Sequence, residues 1–253
     1  MSSEKPLVSI ITPAYNCSLT ILETYKSIKE QTFSSWEWVV TEDCSSDDTY
    51  NVLCEIAKND KKVVVLRNSK NSGTAISRNR SIEAARGRYV AFLDADDLWK
   101  SNKLDVQIEY MQKNNIAFSY SNYDVLPIKG KVKAFNPKKE KINYNGLLKR
   151  NDIGCLTVIY DTTILGKRYM PLDAQKREDY AAWLDITKDG YVAFKLNESL
   201  AIYRLSAVTL TSNKKKMIKY HYRVYRNHEG FGRLKSLYYL IIFMLNKKFT
   251  KYN

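Results

Sequence analysis

Four short apolar runs punctuate the first hundred residues, and each stops at a cluster of polar side chains. The runs are LVSII (7–11), WEWVV (36–40), VVVL (63–66) and YVAFL (89–93), and the clusters are PAYN, TEDCSSDD, RNSKNSG and DADD. Between them, apolar residues recur at helical spacing: Ile21, Leu22, Tyr25 and Ile28; Val52, Leu53, Ile56 and Ala57; Ala75, Ile76, Ile82 and Ala85. Runs this short and apolar on both faces are the pattern of parallel strands covered on each side. Four strands separated by three helices therefore predict an α/β fold, a mostly parallel sheet flanked by helices. Ligands of such sheets bind beyond the carboxyl ends of the strands, where all four polar clusters fall. Asp47 or Asp48 is expected to cap the second helix, and Gly87 to stop the third.

Further on, KLDVQIEYM and REDYAAWLDITKDG read as helices, the second ended by Gly190, while IAFSYSNY and LTVIY read as strands. The net charge of +14 is uneven: from Arg204 onward 12 Lys and Arg face one acid, Glu229. A nearly neutral body thus carries a strongly basic tail. Cys17, Cys44, Cys54 and Cys155 form no CxxC pair and no metal-ligand spacing, the usage of reduced thiols in a cytoplasmic protein. The N-terminus lacks the uniform apolar stretch of a signal peptide. The longest apolar run, Leu237 to Leu245, is nine residues, where a spanning helix needs about 20. The tail is instead expected to lie on the inner face of the cytoplasmic membrane. Leu237, Leu240, Ile241, Met244 and Leu245 share one helical face, with Lys235, Lys247 and Lys248 at its ends, to meet an anionic surface. The alternative is that this helix packs on the body or on a second copy in a homo-oligomer.

Asp94, Asp96 and Asp97 follow the fourth run at its exit. Like charges ~4 Å apart repel by roughly 4 kcal/mol at an effective dielectric of 20, and a hard cation such as Mg²⁺ or Mn²⁺ relieves that repulsion. The competing role is a helix cap, with Asp97 ahead of LWKSNKLD. Asp43 suits either a turn or a hydrogen bond to a nucleobase imide or ribose hydroxyl. Arg78, one turn into the third helix, suits a phosphate or open solvent. Glu178 and Asp179 sit before YAAWL, where acids complement a helix dipole or serve as a general base. His221 and His228 are not expected to be catalytic.

Taken together, VSIITPAYN, TEDCSSDDT, NSGTAISRNRSIEAARGRYVAFLDADD and REDYAAWL resemble, in order and spacing, the inverting nucleotide-sugar glycosyltransferases of family 2. The resemblance spans about residues 6–212 and implies the GT-A fold over 1–212. Residues 1–100 would be the nucleotide-binding half and 101–212 the acceptor half, with 213–253 a basic extension. It implies that Pro13, Ala14, Tyr15 and Asn16 line the nucleoside pocket and that Asp43 contacts uracil. Asn71, Gly73 and Arg78 would border the base and diphosphate. In Asp94-Ala95-Asp96, matching the DxD motif, Asp96 would bind Mn²⁺ or Mg²⁺, with Asp94 on ribose or the cation's water. Asp179 would be the catalytic base. The implied donor is a UDP-sugar carrying glucose, galactose or an N-acetylhexosamine. The implied acceptor is a saccharide, polyprenyl-diphosphate-linked, in bacterial surface-polysaccharide synthesis. Two positions depart from the pattern: Cys44 stands where many members carry Gly, and Ser206 where a YRxH-type block carries a metal-binding His. No QxxRW block is present, so one transfer per acceptor is expected.

Two other classes compete. A nucleotidyltransferase making sugar nucleotides would show a Gly-rich loop after the first strand, and PAYNCS has no Gly. A nucleic-acid-binding protein would use the basic, Tyr-rich tail but leaves four acidic or polar strand ends without a purpose, so no nucleic-acid partner is expected.

Overall fold

The structure, a computed structural model, describes residues 5–205 and 214–248. The first hundred residues alternate as read: β1 (Val8–Ala14), α1 (Ile21–Lys29), β2 (Trp36–Glu42), α2 (Thr49–Asn59), β3 (Val63–Arg67), α3 (Thr74–Ala84) and β4 (Tyr89–Phe92). Then come β5 (Leu98–Trp99), α4 (Lys103–Lys113), β6 (Phe118–Leu126), β7 (Lys133–Phe135), β8 (Lys141–Ile142), α5 (Tyr144–Lys149), β9 (Ile159–Asp161), α6 (Thr162–Leu165), α7 (Glu178–Lys188) and β10 (Ala193–Arg204). The basic extension supplies α8 (Lys214–Arg223) and α9 (Arg233–Lys248).

All ten strands form one sheet, ordered β3-β2-β1-β4-β9-β6-β10-β5, with β7 on β6 and β8 on β10. β1 to β4 are parallel. The short β9 lies antiparallel between β4 and β6, and β10 runs parallel to β6. This is the mostly parallel, helix-flanked α/β sheet expected, with a basic helical extension.

Alternation along the strands fills two cores. Val8, Ile10, Trp38, Val40 and Ala91 pack with α1, α2 and α4 on one face. Ile11, Val39, Val90 and Phe92 pack with α3 and α7 on the other. Trp183, fully buried on α7, meets the rings of Phe92 at 5.5 Å and Phe118 at 5.4 Å, which locks α7 against β4 and β6.

Several local expectations are corrected. α3 buries Ser77, Arg78, Ser81 and Ile82, while Ile76 is exposed, because its inner face satisfies polar neighbours rather than an apolar core. Gly87 is not the stop of α3, whose C-cap is Ala85. A Cβ at Gly87 would lie 2.6 Å from the Ser9 nitrogen, so close backbone approach requires the glycine. Asp48 occupies the N-cap of α2 but its carboxylate accepts from Asn51 Nδ2 rather than from a backbone nitrogen, and Asp47 accepts from the Thr49 nitrogen. LTVIY yields strand only from Ile159, after a 3₁₀ turn over Cys155–Thr157.

The extension packs on the body, α9 against α5 and α8. The apolar face expected of it is split. Leu240 is buried and Met244 half-buried, whereas Leu237, Ile241 and Leu245 are exposed together with Leu234 and Tyr238. The side chains of Lys247 and Lys248, the 212/213 boundary and Ser206 lie outside the described residues.

Candidate functional site

A cavity of about 510 Å³ opens at the carboxyl ends of β1, β2 and β4. Pro13, Ala14, Tyr15 and Asn16 from β1 and its loop, Asp43 after β2, Arg78 from α3, and Asp94, Ala95 and Asp96 after β4 all line it. Cys17, Thr20, Thr74 and Ser77 complete the wall. Of the residues to which the family resemblance gives a role, Asn71, Gly73 and Asp179 lie off this wall.

The floor is held by backbone bonds to buried acids. Asp43, 3% exposed, accepts from Asn68 Nδ2 at 2.7 Å and from the Ser72 and Gly73 nitrogens at 2.8 Å. It therefore pins the loop that launches α3, with Gly73 at φ +91 where only glycine is at ease. Asn71, on that loop, is exposed. Asn16 ties the first loop to the second: its nitrogen donates to Ser45 Oγ at 3.0 Å and its Oδ1 accepts from the Ser46 nitrogen at 2.9 Å.

The acidic turn after β4 is fastened from three directions. Thr20 and Thr24 hydroxyls donate to the Ala95 carbonyl at 2.9 and 3.0 Å, and Thr24 also reaches the Asp97 carbonyl at 3.0 Å. Asp97 is no helix cap, since α4 begins at Lys103 after Asn102. Its buried Oδ1 accepts from the Arg204 nitrogen at 2.9 Å, and the Arg204 side chain donates to the Asp96 carbonyl and pairs with Glu23. Burial, then the neighbouring Asp94 charge, pushes the Asp96 carboxyl above the usual carboxylate range, and Asp97 further still.

Arg78 is 5% exposed, which removes the solvated reading. Its Nη2 pairs with Asp94 Oδ1, and its Nη1 lies 4.0 Å from Glu178 Oε1 in the first turn of α7. Burial works against that charge, but Asp94, then Glu178, hold the guanidinium firmly protonated. One arginine thus joins the DxD turn to the Glu178-Asp179 turn. Asp179 is half-buried beside Glu178, whose buried Oε2 has no hydrogen-bond partner among the described residues. Cys155, buried near these groups, has its thiol pushed up by burial. Burial likewise pushes the Cys17 thiol up to about 11. Arg204 and the two threonines escaped the sequence reading, because their roles depend on contacts more than 70 residues away.

A second cluster joins α7 to the extension. Asp185, His228 and Glu229 each offer a ligand atom within 4.8 Å of the others, a candidate set for a divalent cation. Protein cations already serve it. Lys188 Nζ is 3.1 Å from Glu229 Oε2, which also accepts from Tyr144, and His228 sits between Asp185 at 3.0 Å and Asp173 at 3.1 Å. His228 does have acidic partners, brought by α7 and the loop before it.

The chain matches the family description "Glycosyl transferase family 2" over residues 9–170. It is 39% identical over 247 residues to TuaG of Bacillus subtilis, a protein named for teichuronic acid biosynthesis, covering 97% of this chain and 98% of that one. It is 40% identical over 243 residues to the UDP-Glc:alpha-D-GlcNAc-diphosphoundecaprenol beta-1,3-glucosyltransferase WfgD of Escherichia coli, covering 94% and 92%. The fold is shared with S. aureus TarS, solved with UDP-GlcNAc, at a TM-score of 0.69 and 19% identity over 94% of this chain and 71% of that one.

Proposed function

The chain belongs to glycosyl transferase family 2, and from that premise we propose that it moves one sugar from a UDP-sugar to a lipid-linked saccharide in bacterial surface-polysaccharide synthesis. The observation that carries this reading is the convergence of Asp43, Arg78, Asp94 and Asp96 on one cavity at the strand ends. The names of TuaG and WfgD support the polysaccharide setting and a diphosphoundecaprenol-linked acceptor.

The acids suit a hard cation. Asp94 and Asp96 share the cavity wall, and the second is disfavoured as an anion by burial and by the first. Mn²⁺ or Mg²⁺ bound there would neutralise charge on the departing diphosphate. The rest is the work of the chain's own residues. Asp43 sets the loop beside the nucleobase, with Pro13, Ala14, Tyr15 and Asn16 opposite and Asn71 and Gly73 at its border. Arg78 holds Asp94 in place next to the diphosphate. Asp179 accepts the proton of the acceptor hydroxyl, which attacks the anomeric carbon on the face away from the nucleotide. An α-linked donor then gives a β-glycoside.

The protein acts at the cytoplasmic membrane surface in this reading. Among the described residues no helix is long and apolar enough to cross a membrane. Calorimetry with UDP and a panel of UDP-sugars tests the proposal. Mn²⁺ or Mg²⁺ should be needed for tight UDP binding, and Asp96→Asn should remove turnover by about 10²-fold or more while leaving the thermal midpoint in place. Full transfer activity in excess EDTA overturns the assignment of Asp94 and Asp96.

A further inference from the structure

We propose that the β6–β7 hairpin is the docking site for an isoprenoid diphosphate, the lipid end of the acceptor. The inference rests on the lipid-linked acceptor of the reading above and assigns it a surface.

Topology brings the hairpin over the cleft. Ala91 of β4 and Ser119 of β6 both pair with Ile159. Asp94, three residues on from Ala91, is therefore level with Asn122, and Leu126 at the end of β6 lies four residues further. At ~3.3 Å per residue the strand overhangs the acidic turn by about 13 Å. The root of the hairpin is tied to that turn. The Leu205 nitrogen donates to the Leu126 carbonyl at 2.9 Å, and the preceding Arg204 nitrogen donates to Asp97 at 2.9 Å.

The chemistry of the hairpin fits a charged lipid end rather than plain solvent. Its tip reads Ile128-Lys129-Gly130-Lys131-Val132-Lys133, all exposed, and no acid occurs between Val125 and Lys139. Gly130 makes the turn at φ +107. Ile128 and Val132 are 53% and 54% exposed, so two branched apolar side chains alternate with three ammonium groups. Lysines supply point charges for a diphosphate, and the apolar pair supplies contact for the first isoprene units. At the base, Tyr123 packs on Phe135 at 4.8 Å and on Tyr203 at 6.4 Å.

The experiment uses the full chain with its donor cavity saturated by UDP and Mn²⁺. Farnesyl diphosphate is titrated in by calorimetry, with Mn²⁺ matched in both solutions. Inorganic pyrophosphate and phosphatidylglycerol vesicles are run beside it. Farnesyl diphosphate should bind. Replacing Lys129, Lys131 and Lys133 by Ser should weaken it by about tenfold or more, with UDP affinity and thermal midpoint unchanged. Replacing Ile128 and Val132 by Ser should weaken farnesyl diphosphate but not pyrophosphate. Unchanged binding in the triple variant, failure of farnesyl diphosphate to bind the UDP-saturated chain, or equal loss of vesicle binding and farnesyl diphosphate binding overturns the assignment. The last result would make the hairpin a general anionic-surface contact. Failure of the unmodified chain to bind UDP overturns the donor reading and this one together; UDP binding with an indifferent hairpin overturns this one alone.

Discussion

Cys44 sits at φ +59, in the left-handed region, two residues after the end of β2. That conformation costs a side-chain-bearing residue roughly 1–2 kcal/mol, which explains why glycine is usual at this place in the family pattern. Cys44→Gly should therefore keep the loop and raise stability by about 0.5–1 kcal/mol after the added freedom of the unfolded chain is subtracted. Urea unfolding checks this, and a loss of stability would show that the Cys44 contacts outweigh the backbone strain. A second residue outside the site carries a larger effect. Lys103 is wholly buried, hydrogen-bonded to Gln107 and to the Thr157 carbonyl at 3.3 Å, and burial pulls its ammonium down to about 7. Between that value and the ordinary 10.5 the unfolded chain holds a proton that the folded chain has shed. Stability from this group therefore rises with pH across the window and is lowest below it. Lys103→Met should stabilise the protein at pH 6–7 and flatten the rise toward pH 9, read as urea midpoints of variant against parent. At this scale the sequence displayed the acids of the site but not their partners. Spacing left Arg78 between phosphate and solvent, and only its burial against Asp94 and Glu178 decides.

Among the elements, β1 to β4 were legible because strands covered on both faces must be apolar throughout, whereas β5, β7 and β8, of two or three residues, are too short to carry a period. The face of α3 misled for the opposite reason: Ser77 and Ser81 are buried and satisfied by Asn68 and Thr41, so polarity marks the inside there. The tail illustrates a third case, a helix apolar on two sides. One side of α9 packs on the body, and the other shows Leu234, Leu237, Tyr238, Ile241 and Leu245, near the exposed cations Arg233 and Lys235. Sedimentation with phosphatidylglycerol vesicles should be lost in Leu237→Glu/Ile241→Glu with the thermal midpoint kept, and loss of a dimer on sizing instead would assign that face to a second copy. The clamp between α7 and the extension is pH-sensitive. The Asp185 hydrogen bond, then the charges of Asp185 and Asp173, raise His228 above its ordinary 6.5, with Lys188 and Glu229 nearby. A raised folded value means that the stabilisation is complete below 6.5 and disappears as pH climbs through the folded value. Proteolysis of the extension should quicken at alkaline pH in the parent, and His228→Gln should remove that dependence. The slope is opposite to that of Lys103, so each is read from its own variant.

Across the whole molecule, sequence order and spatial order part company at β9. Nothing in IYD states that it runs antiparallel between β4 and β6, because the partners that set its direction lie about 40 to 70 residues earlier in the chain. The alternating pattern up to residue 100 was therefore readable as architecture, while the half that follows was readable only as separate pieces. The same parting governs the acidic turn. Asp97 is clamped by the nitrogen of Arg204, 107 positions downstream, and Arg78 meets Glu178, 100 positions downstream. Contacts of such separation close late, since the intervening loop entropy must be overcome first. During synthesis the parallel strands can emerge and pair while the turn that ends them is still unclamped. A ribosome must have delivered about four-fifths of the chain before the donor wall acquires its final shape. A truncated product released earlier would carry every acid of the cavity and the Thr20 and Thr24 bonds to the turn, but not the Arg204 clamp on Asp97.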